Sequence, residues 1–180
     1  MSSEERAPTM SSAVTVRDAT REDMPLFLRL IQDLAAFEGM PEGPQLTVDD
    51  LIRDGFDTTQ PWFFGMVAES DGKVVGYAIC NRAFSSWTGR AYYIEDLYVL
   101  PPYRRAGIGV RMMRALCERA VAEGVGRIDW HVLKSNNSAL AFYARMGARD
   151  MHVSEGRAAL RLDEDRIVAV AAGDLLASPR

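Results

Sequence analysis

Residues Glu95 to Gly109 read Glu-Asp-Leu-Tyr-Val-Leu-Pro-Pro-Tyr-Arg-Arg-Ala-Gly-Ile-Gly. An apolar and aromatic run ends at Pro-Pro, a basic glycine-rich turn follows, and a helical pattern begins at Val110. A strand, a turn and a helix in this order direct several backbone N–H groups and the positive end of a helix dipole toward one point. Arg104 and Arg105 add fixed positive charge. The segment therefore predicts an anion site that suits a phosphate.

Known phosphate-binding motifs narrow the choice of ligand. No P-loop string Gly-x-x-x-x-Gly-Lys-[Ser/Thr] occurs, and the dinucleotide fingerprint fails because Met112 stands where its third glycine should follow Gly107 and Gly109. What remains is Arg104-x-x-Gly107-x-Gly109. This turn resembles the pyrophosphate loop of the GCN5-related N-acetyltransferases (GNAT superfamily), which bind acetyl-CoA. Taken alone, the hexapeptide leaves open a helix N-terminus whose glycines serve packing only.

Composition limits the class of protein. The chain has 180 residues, of which 48% are hydrophobic and 26% charged, and this balance suits one domain with a sizeable core. A net charge of −4, from 21 basic and 25 acidic residues, argues against nucleic acid as a partner. No apolar run approaches the roughly 20 residues of a membrane span, so no membrane partner is expected. We predict a disordered leader over residues 1–12, one domain over 13–173 and a flexible tail over 174–180.

The two cysteines, Cys80 and Cys117, form neither a disulfide framework nor a zinc site. Each lies in an apolar stretch, which predicts a core position in a reducing cytoplasm. No metal is expected.

Hydrophobic periodicity and turn residues predict the element order β-α-α-β-β-β-α-β-α-β. Thr20, Thr47 and Asn136 or Asn137 are candidate helix caps, and an amphipathic helix runs from Val110 to Gly124. The predicted strands are 14–17, 62–69, 73–83, 90–99, 127–133, 151–153 and 158–162. This order indicates an α+β fold with a mixed, mostly antiparallel central sheet flanked by helices. The resemblance further implies a sheet that splays at two parallel strands, with the cofactor pairing along Leu97, Tyr98 and Val99.

Glu95 and Asp96 are the candidate acids for chemistry on an amine. A carboxylate at the end of the strand that feeds the turn can hold a cationic amine and take its proton, directly or through water. Because adjacent strand residues point to opposite faces, we expect at most one of the two to face any given cleft. The family resemblance favours Glu95.

A second cluster, residues 136–148, resembles the family signature Asn-x-x-Ala-x-x-[Phe/Leu]-Tyr-x-x-x-Gly. In the family the tyrosine hydroxyl reaches the cofactor sulfur, and Tyr143 fills that position. A phenol with a pKa near 10 can protonate a departing thiolate while staying neutral at pH 7. The resemblance thus implies two catalytic residues, Tyr143 and Glu95. The cofactor-binding residues that it implies are Leu97, Tyr98, Val99, Arg104, Arg105, Ala106, Gly107, Ile108, Gly109, Val110, Asn136, Ser138, Ala139 and Tyr143.

Several further strings resemble the diamine (spermidine/spermine) acetyltransferases and the related thialysine acetyltransferases. They are 31–38, 54–56, 75–78, 87–90, 93–99 and 154–156. The resemblance implies a substrate channel that uses Phe37, Glu38, Glu95 and Glu155. Two positions depart from the diamine pattern: Ser85 replaces an aspartate, as in the thialysine type, and Arg157 replaces a tryptophan. Both departures favour an amine that carries a carboxylate, such as a lysine-like amino acid.

Together, the residues and the resemblance predict a cytoplasmic N-acetyltransferase that moves the acetyl group of acetyl-CoA directly to the primary amine of a small cationic substrate. The resemblance also implies a homodimer. The substrate is a thialysine- or lysine-like amino acid, or a diamine or polyamine. Two alternatives stay open. One is a catalytically silent acyl-CoA-binding sensor, because the turn only anchors the cofactor. The other is acetylation of a protein amine.

Overall fold

A computed structural model of the protein describes residues 14–173. By their internal contacts these residues form two compact units, the first ending at Leu133 and the second beginning at Lys134. The predicted leader at 1–12 and tail at 174–180 lie outside the described residues. None of the helices between residues 14 and 173 has the length and hydropathy of a membrane span.

The first unit is built on a five-stranded sheet whose strand order follows the chain, β1-β2-β3-β4-β5. All neighbouring strands are antiparallel except β4 and β5, which are parallel. The predicted mixed, mostly antiparallel sheet is thereby confirmed. The strands are β1 (Thr15–Asp18), β2 (Phe64–Ser70), β3 (Lys73–Ser85), β4 (Gly89–Val99) and β5 (Arg127–Trp130).

Three helices of the first unit cover the two faces of this sheet: α1 (Met24–Phe37), α2 (Val48–Gly55) and α3 (Ile108–Ala122). Neighbouring residues of β3 show which helix covers which face, because they point in opposite directions. Tyr77 contacts the Phe27 ring of α1 at a centroid distance of 5.2 Å. A Cβ atom added at Gly76 would instead lie 3.2 Å from the sulfur of Met112 on α3.

The local signals read from the sequence account for most element ends. A short 3-10 turn (Arg21–Asp23) precedes α1, and the Asp23 carboxylate accepts a hydrogen bond from the backbone N–H of Thr20 at 2.7 Å. Asp71 and Gly72 form the β2–β3 turn with φ values of 52° and 71°, the pair of left-handed residues that a tight hairpin turn requires. Thr47 caps α2 as predicted.

Strand β4 changes its neighbours part-way along its length. It pairs with β5 only from Ala91 to Ile94, and among the described residues no strand pairs with that edge from Glu95 onward. On its other side the register against β3 shifts, because Ile79 pairs with Asp96 while Cys80 pairs with Ile94. Glu95 is therefore the extra residue of a β-bulge. The freed edge fits the predicted splay of the two parallel strands.

The second unit contains α4 (Asn137–Arg145), α5 (Met151–Glu155) and α6 (Glu164–Ala171). The two strands predicted at 151–153 and 158–162 were wrong. Residues 151–155 are helical because Asp150 accepts a hydrogen bond from the His152 N–H and Gly156, with φ of 66°, ends the helix. Residues 158–162 have no regular structure.

Two other expectations also need correction in the first unit. Strand β5 ends at Trp130 rather than at Leu133. Cys80 is buried as expected, but Cys117 is exposed, because it lies on the face of α3 turned away from the sheet.

The capping interaction of α2 leads to a prediction about stability. The Thr47 hydroxyl accepts from the Asp50 N–H at 3.2 Å and donates to the Asp50 carboxylate at 2.7 Å. We expect Thr47→Ala to lower the free energy of unfolding by about 1 kcal/mol, because the cap is lost. Thr47→Ser keeps the hydroxyl and is the control. Urea unfolding measures both, and equal stability of the two variants would contradict a capping role.

Candidate active site

A cavity of about 500 Å³ lies between α1, α2 and strands β3 and β4 of the first unit. Its floor and one wall are apolar, with Ile31, Leu34 and Leu51 among the lining residues. The polar lining is almost wholly acidic and includes only one uncharged side-chain amide. These polar residues are Glu38, Asp50, Asp54, Asn81, Glu95 and Asp96. A cavity with this lining favours a cationic ligand with an apolar stem.

Glu95 and Asp96 both line the cavity, which corrects the expectation that at most one of them would face a given cleft. Strict alternation fails here because of the β-bulge at Glu95. Cys80 and its partner Ile94 face α3, whereas Ile79 and its partner Asp96 face α1. The extra residue therefore turns two consecutive carboxylates toward the same side of the sheet.

Asp96 is held by a tyrosine from the neighbouring strand. The Tyr77 hydroxyl donates a hydrogen bond of 2.9 Å to Oδ2 of Asp96. Burial raises the pKa of Asp96 to about 6, and the Glu95 and Glu38 carboxylates add to this rise, although the Tyr77 hydrogen bond opposes it. Asp96 therefore titrates close to neutral pH, the range in which a general base works best.

Asp50 and Asp54 are acids of this cavity that the sequence analysis missed. Both project from α2, and both pair with Arg53, at 2.6 Å and 2.9 Å. The signal was present in the sequence, since residues four apart on a helix share one face. The hydrogen bonds from Thr47 and the Arg53 guanidinium hold the pKa of Asp50 down at about 2, so this carboxylate is charged at any working pH.

The four predicted substrate residues do not behave alike. Glu38 and Glu95 line the cavity, whereas Phe37 is absent from its lining. The Phe37 ring instead lies 4.6 Å below the guanidinium of Arg104. Glu155 belongs to the second unit, at the end of α5, where its carboxylate pairs with Arg157 at 2.6 Å.

The predicted cofactor turn has the backbone of an anion site. Arg105 and Gly107 have positive φ values of 68° and 77°. The first hydrogen bond of α3 runs from the Arg111 N–H to the Gly107 carbonyl at 3.1 Å. The N–H groups of Ile108, Gly109 and Val110 therefore precede the helical bonding pattern, as donors for an anion do.

Arg104 differs from the expectation of a side chain directed at phosphate. Its Nε donates to the Val99 carbonyl at 2.8 Å, and its guanidinium lies over the rings of Phe37 and Tyr98. In this structure the side chain joins the end of β4 to the end of α1. Leu97, Tyr98 and Val99 lie on the part of β4 that β5 leaves unpaired.

The remaining predicted residues lie in the second unit, on α4. Asn136 is its N-cap, with its side-chain oxygen accepting from the Ala139 N–H at 3.1 Å, and Ser138 and Ala139 form the first turn. Tyr143 packs edge-on against Phe142 at 5.0 Å. Burial raises the pKa of Tyr143 to about 12, so its phenol keeps its proton at neutral pH.

Ser85, which replaces an aspartate of the diamine pattern, is engaged in the turn that joins β3 and β4. Its side chain is buried, and Oγ accepts from the N–H groups of Trp87 at 3.1 Å and Thr88 at 3.3 Å. The serine therefore shapes the hairpin, and it does not line the acidic cavity. Within residues 14–173 no group of three or more His, Cys, Asp or Glu side chains could hold a metal ion.

Comparison with known proteins identifies the family. The sequence profile described as the acetyltransferase (GNAT) family matches residues 27–148, a range that includes the acidic cavity, the glycine turn and Tyr143. The chain belongs to this family. It is therefore an N-acetyltransferase, and acetyl-CoA is the acyl donor typical of GNAT enzymes.

Among curated proteins, the mouse thialysine N-epsilon-acetyltransferase is 34% identical over 160 residues, which cover 84% of this chain and 94% of the mouse protein. The human spermidine/spermine N(1)-acetyltransferase-like protein 1 is also 34% identical, over 163 residues. That alignment covers 87% of this chain but only 23% of the human protein. Both support the resemblance read from the sequence.

Solved structures agree on the fold. An integron cassette protein from V. cholerae has a TM-score of 0.70 at 21% identity, covering 88% of this chain and 97% of that one. An aminoglycoside N-acetyltransferase in complex with CoA has a TM-score of 0.65 at 17% identity, covering 86% and 97%. At these identities the likeness shows a shared GNAT fold.

The raised pKa of Asp96 predicts an unusual pH dependence of stability. The pKa of Asp96 is 3.8 in the unfolded chain and about 6 in the folded protein. Between these two pH values the folded protein binds more protons at Asp96 than the unfolded chain does. The contribution of Asp96 to the free energy of unfolding therefore falls as pH rises through this range. We expect Asp96→Asn to melt a few degrees above the wild type at pH 8, with the gap closing toward pH 4.

Thermal melting from pH 4 to pH 8 measures this difference. Asp33→Asn, on the exposed face of α1, is the control. A wild type that is more stable than Asp96→Asn at pH 8 would contradict the raised pKa.

Proposed function

We propose that the protein transfers the acetyl group of acetyl-CoA directly to the primary amine of a small cationic substrate. The single observation that carries this proposal is the acidic cavity, in which the bulged pair Glu95 and Asp96 lies with Glu38 against an apolar wall. An ammonium group can approach these carboxylates while its carbon stem packs on Ile31 and Leu34. Such a cavity does not suit an anionic acceptor.

The residues around the glycine turn fit acetyl-CoA. The backbone from Gly107 to Val110 offers donors for a pyrophosphate, and the unpaired edge of β4 from Leu97 to Val99 offers backbone groups for an amide-bearing arm. Arg105 adds a positive charge beside the turn. When bound, acetyl-CoA supplies the acetyl group: a bond forms from the amine nitrogen to its carbonyl carbon, the carbon–sulfur bond breaks, and sulfur takes the electron pair and a proton.

The acidic residues of the cavity bind the ammonium group of the substrate and accept its proton. An alkylammonium cannot attack a carbonyl until it loses a proton, and a carboxylate beside it can accept that proton. The same carboxylates keep the cation in place before the proton leaves. Glu38, on the α1 side of the cavity, adds a further negative charge that attracts the substrate.

Tyr143 is our candidate acid for the leaving sulfur. Burial raises the pKa of its phenol to about 12, so the group is protonated at neutral pH and can donate to a thiolate. Asn136 and the first turn of α4 are candidate contacts for the cofactor arm, since the asparagine also caps the helix.

A lysine- or thialysine-like amino acid is the substrate class that we favour over long polyamines. Glu155, a predicted clamp for a second ammonium group, is already paired with Arg157. Ser85 carries no charge and is occupied by its turn. The mouse, pig and cattle relatives that are 34–35% identical are named thialysine N-epsilon-acetyltransferases. A homodimer, a cytoplasmic location and the lack of nucleic-acid or membrane partners stay predictions from the sequence.

An amine panel tests the proposal. Purified full-length protein is incubated with acetyl-CoA and spermidine, putrescine, thialysine, lysine, ornithine or a neutral amino acid, and thiol release is followed. We expect the highest kcat/KM with thialysine or lysine. A higher kcat/KM for spermidine would overturn the substrate class. Binding of CoA without thiol release from any amine would indicate the silent binder, and release only with a lysine peptide would indicate a protein substrate.

Removal of the Tyr143 hydroxyl tests the role of the acid. We expect Tyr143→Phe to lower kcat on the order of 100-fold, the usual contribution of a positioned proton donor. Calorimetric titration should show acetyl-CoA affinity close to that of the wild type, because the ring remains. Phe142→Leu, at the neighbouring position, controls for packing. An unchanged kcat of Tyr143→Phe from pH 6 to pH 9 would remove Tyr143 from this role.

A further inference from the structure

We propose that Asp96 is the proton acceptor of the acidic cavity and that Tyr77 is the positioning residue that orients it and keeps it ionised. This inference rests on the proposed amine acetylation and names which carboxylate takes the proton. Glu95 then holds the ammonium group. We assign different roles to the two carboxylates because their surroundings differ.

Tyr77 cannot easily move. Its side chain is fully buried, and its ring lies edge-on to Phe27 at 5.2 Å and to Tyr98 at 6.4 Å. Burial and the Asp96 charge raise the pKa of Tyr77, so its phenol always has a proton to donate. The 2.9 Å bond to Oδ2 therefore fixes the rotamer of Asp96. Oδ1 accepts no hydrogen bond from the described residues, and it is the oxygen to which we assign the proton.

Glu95 has a different environment. It is exposed, whereas Asp96 is half-buried, and no hydrogen bond from a described residue fixes its carboxylate. An exposed carboxylate that no hydrogen bond fixes can follow a cation into the cavity, but its oxygens have no fixed direction. A partly desolvated carboxylate with one anchored oxygen is the better base.

The charges around Asp96 make the Tyr77 hydrogen bond decisive. Every titratable group that faces the cavity from α1, α2, β3 or β4 is acidic or neutral, so desolvation and repulsion favour the protonated acid. The Tyr77 hydroxyl opposes both effects because it bonds to the charged form. These groups are Glu38 just after α1, Asp50 and Asp54 on α2, Glu95 on β4, and Tyr77, which bonds to Asp96 from β3.

The pH profile of Tyr77→Phe tests the positioning role. Loss of one hydrogen bond to a charged group should move the acidic limb of kcat/KM upward by about one pH unit. Activity would then fall about threefold at pH 6.5 and stay unchanged at pH 8.5, where Asp96 is ionised in both proteins. A merely structural role would lower activity by the same factor at every pH.

Tyr92→Phe is the matched control. Tyr92, on β4, is also fully buried, but its hydroxyl lies beside Glu123 at the end of α3 and not beside Asp96. We expect its pH profile to equal that of the wild type. An acidic limb that stays in place in Tyr77→Phe, or that moves equally in both variants, would overturn the inference.

One substitution at each carboxylate tests whether Asp96 accepts the proton and Glu95 holds the ammonium group. Asp96→Asn should lower kcat on the order of 100-fold with little change in the KM for the amine, and Glu95→Gln should mainly raise that KM. The reverse pattern would assign the proton to Glu95 and overturn the inference.

NMR titration of the Asp96 carboxyl carbon separates this inference from the proposed function. Protein labelled with 13C-aspartate is titrated from pH 4 to pH 9 without substrate, in the wild type and in Tyr77→Phe. A higher titration midpoint of Asp96 in Tyr77→Phe would support the view that Tyr77 keeps Asp96 ionised, even if no amine of the panel is acetylated. Equal midpoints overturn the inference even if the enzyme is active.

Discussion

The rest of the site depends on the change that strand β4 undergoes at residue 95. Up to Ile94 the strand has a neighbour on each side, and from Glu95 onward β5 no longer pairs with it. At the same residue the bulge against β3 turns Glu95 and Asp96 to the α1 face. One point of the backbone thus ends the pairing with β5 and places a pair of acids beside the edge that this leaves. In the proposed reaction the two features depend on each other, because an acyl donor bound along the edge needs an activated amine next to it.

The acidic cavity is unfavourable for the folded protein while it contains no cation. Asp96 titrates near pH 6 because burial and acidic neighbours raise its pKa, and the folded state gives up stability to keep it ionised at neutral pH. A cationic substrate relieves this repulsion. The preference of the cavity for a cation therefore comes from its number of acidic residues, and it does not require a close fit in shape.

Local sequence signals account for much of the fold and for part of the site. The Asp71-Gly72 turn, the Thr47 cap and the Arg104–Gly109 turn each depend on residues within a few positions of one another, so a single sequence reveals them. The bulge at Glu95 depends on how β3 pairs with β4, which no local pattern encodes. The expectation that at most one of Glu95 and Asp96 would face a given cleft was wrong for this reason. A strand was predicted at residues 151–153, now part of α5, because Met151 and Val153 flank His152 in an alternating pattern. Three residues are too few for such a pattern to distinguish a strand from a helix. The capping Asp150 and the terminating Gly156 gave the better signal.

Arg104 shows why matching a motif does not assign a contact. Its position in the Arg-x-x-Gly-x-Gly turn predicts a phosphate ligand, and Phe37 was predicted to line the substrate channel. The structure instead stacks the two on each other, with Tyr98 as a second ring and the Val99 carbonyl as hydrogen-bond partner. A planar guanidinium that lies over two rings and also donates to a carbonyl connects the end of α1 to the end of β4. Glu38 follows Phe37 directly, and the glycine turn follows Arg104. The contact therefore sets the distance between an acid of the cavity and the glycine turn, which lysine, with its compact ammonium group, could not do in the same way.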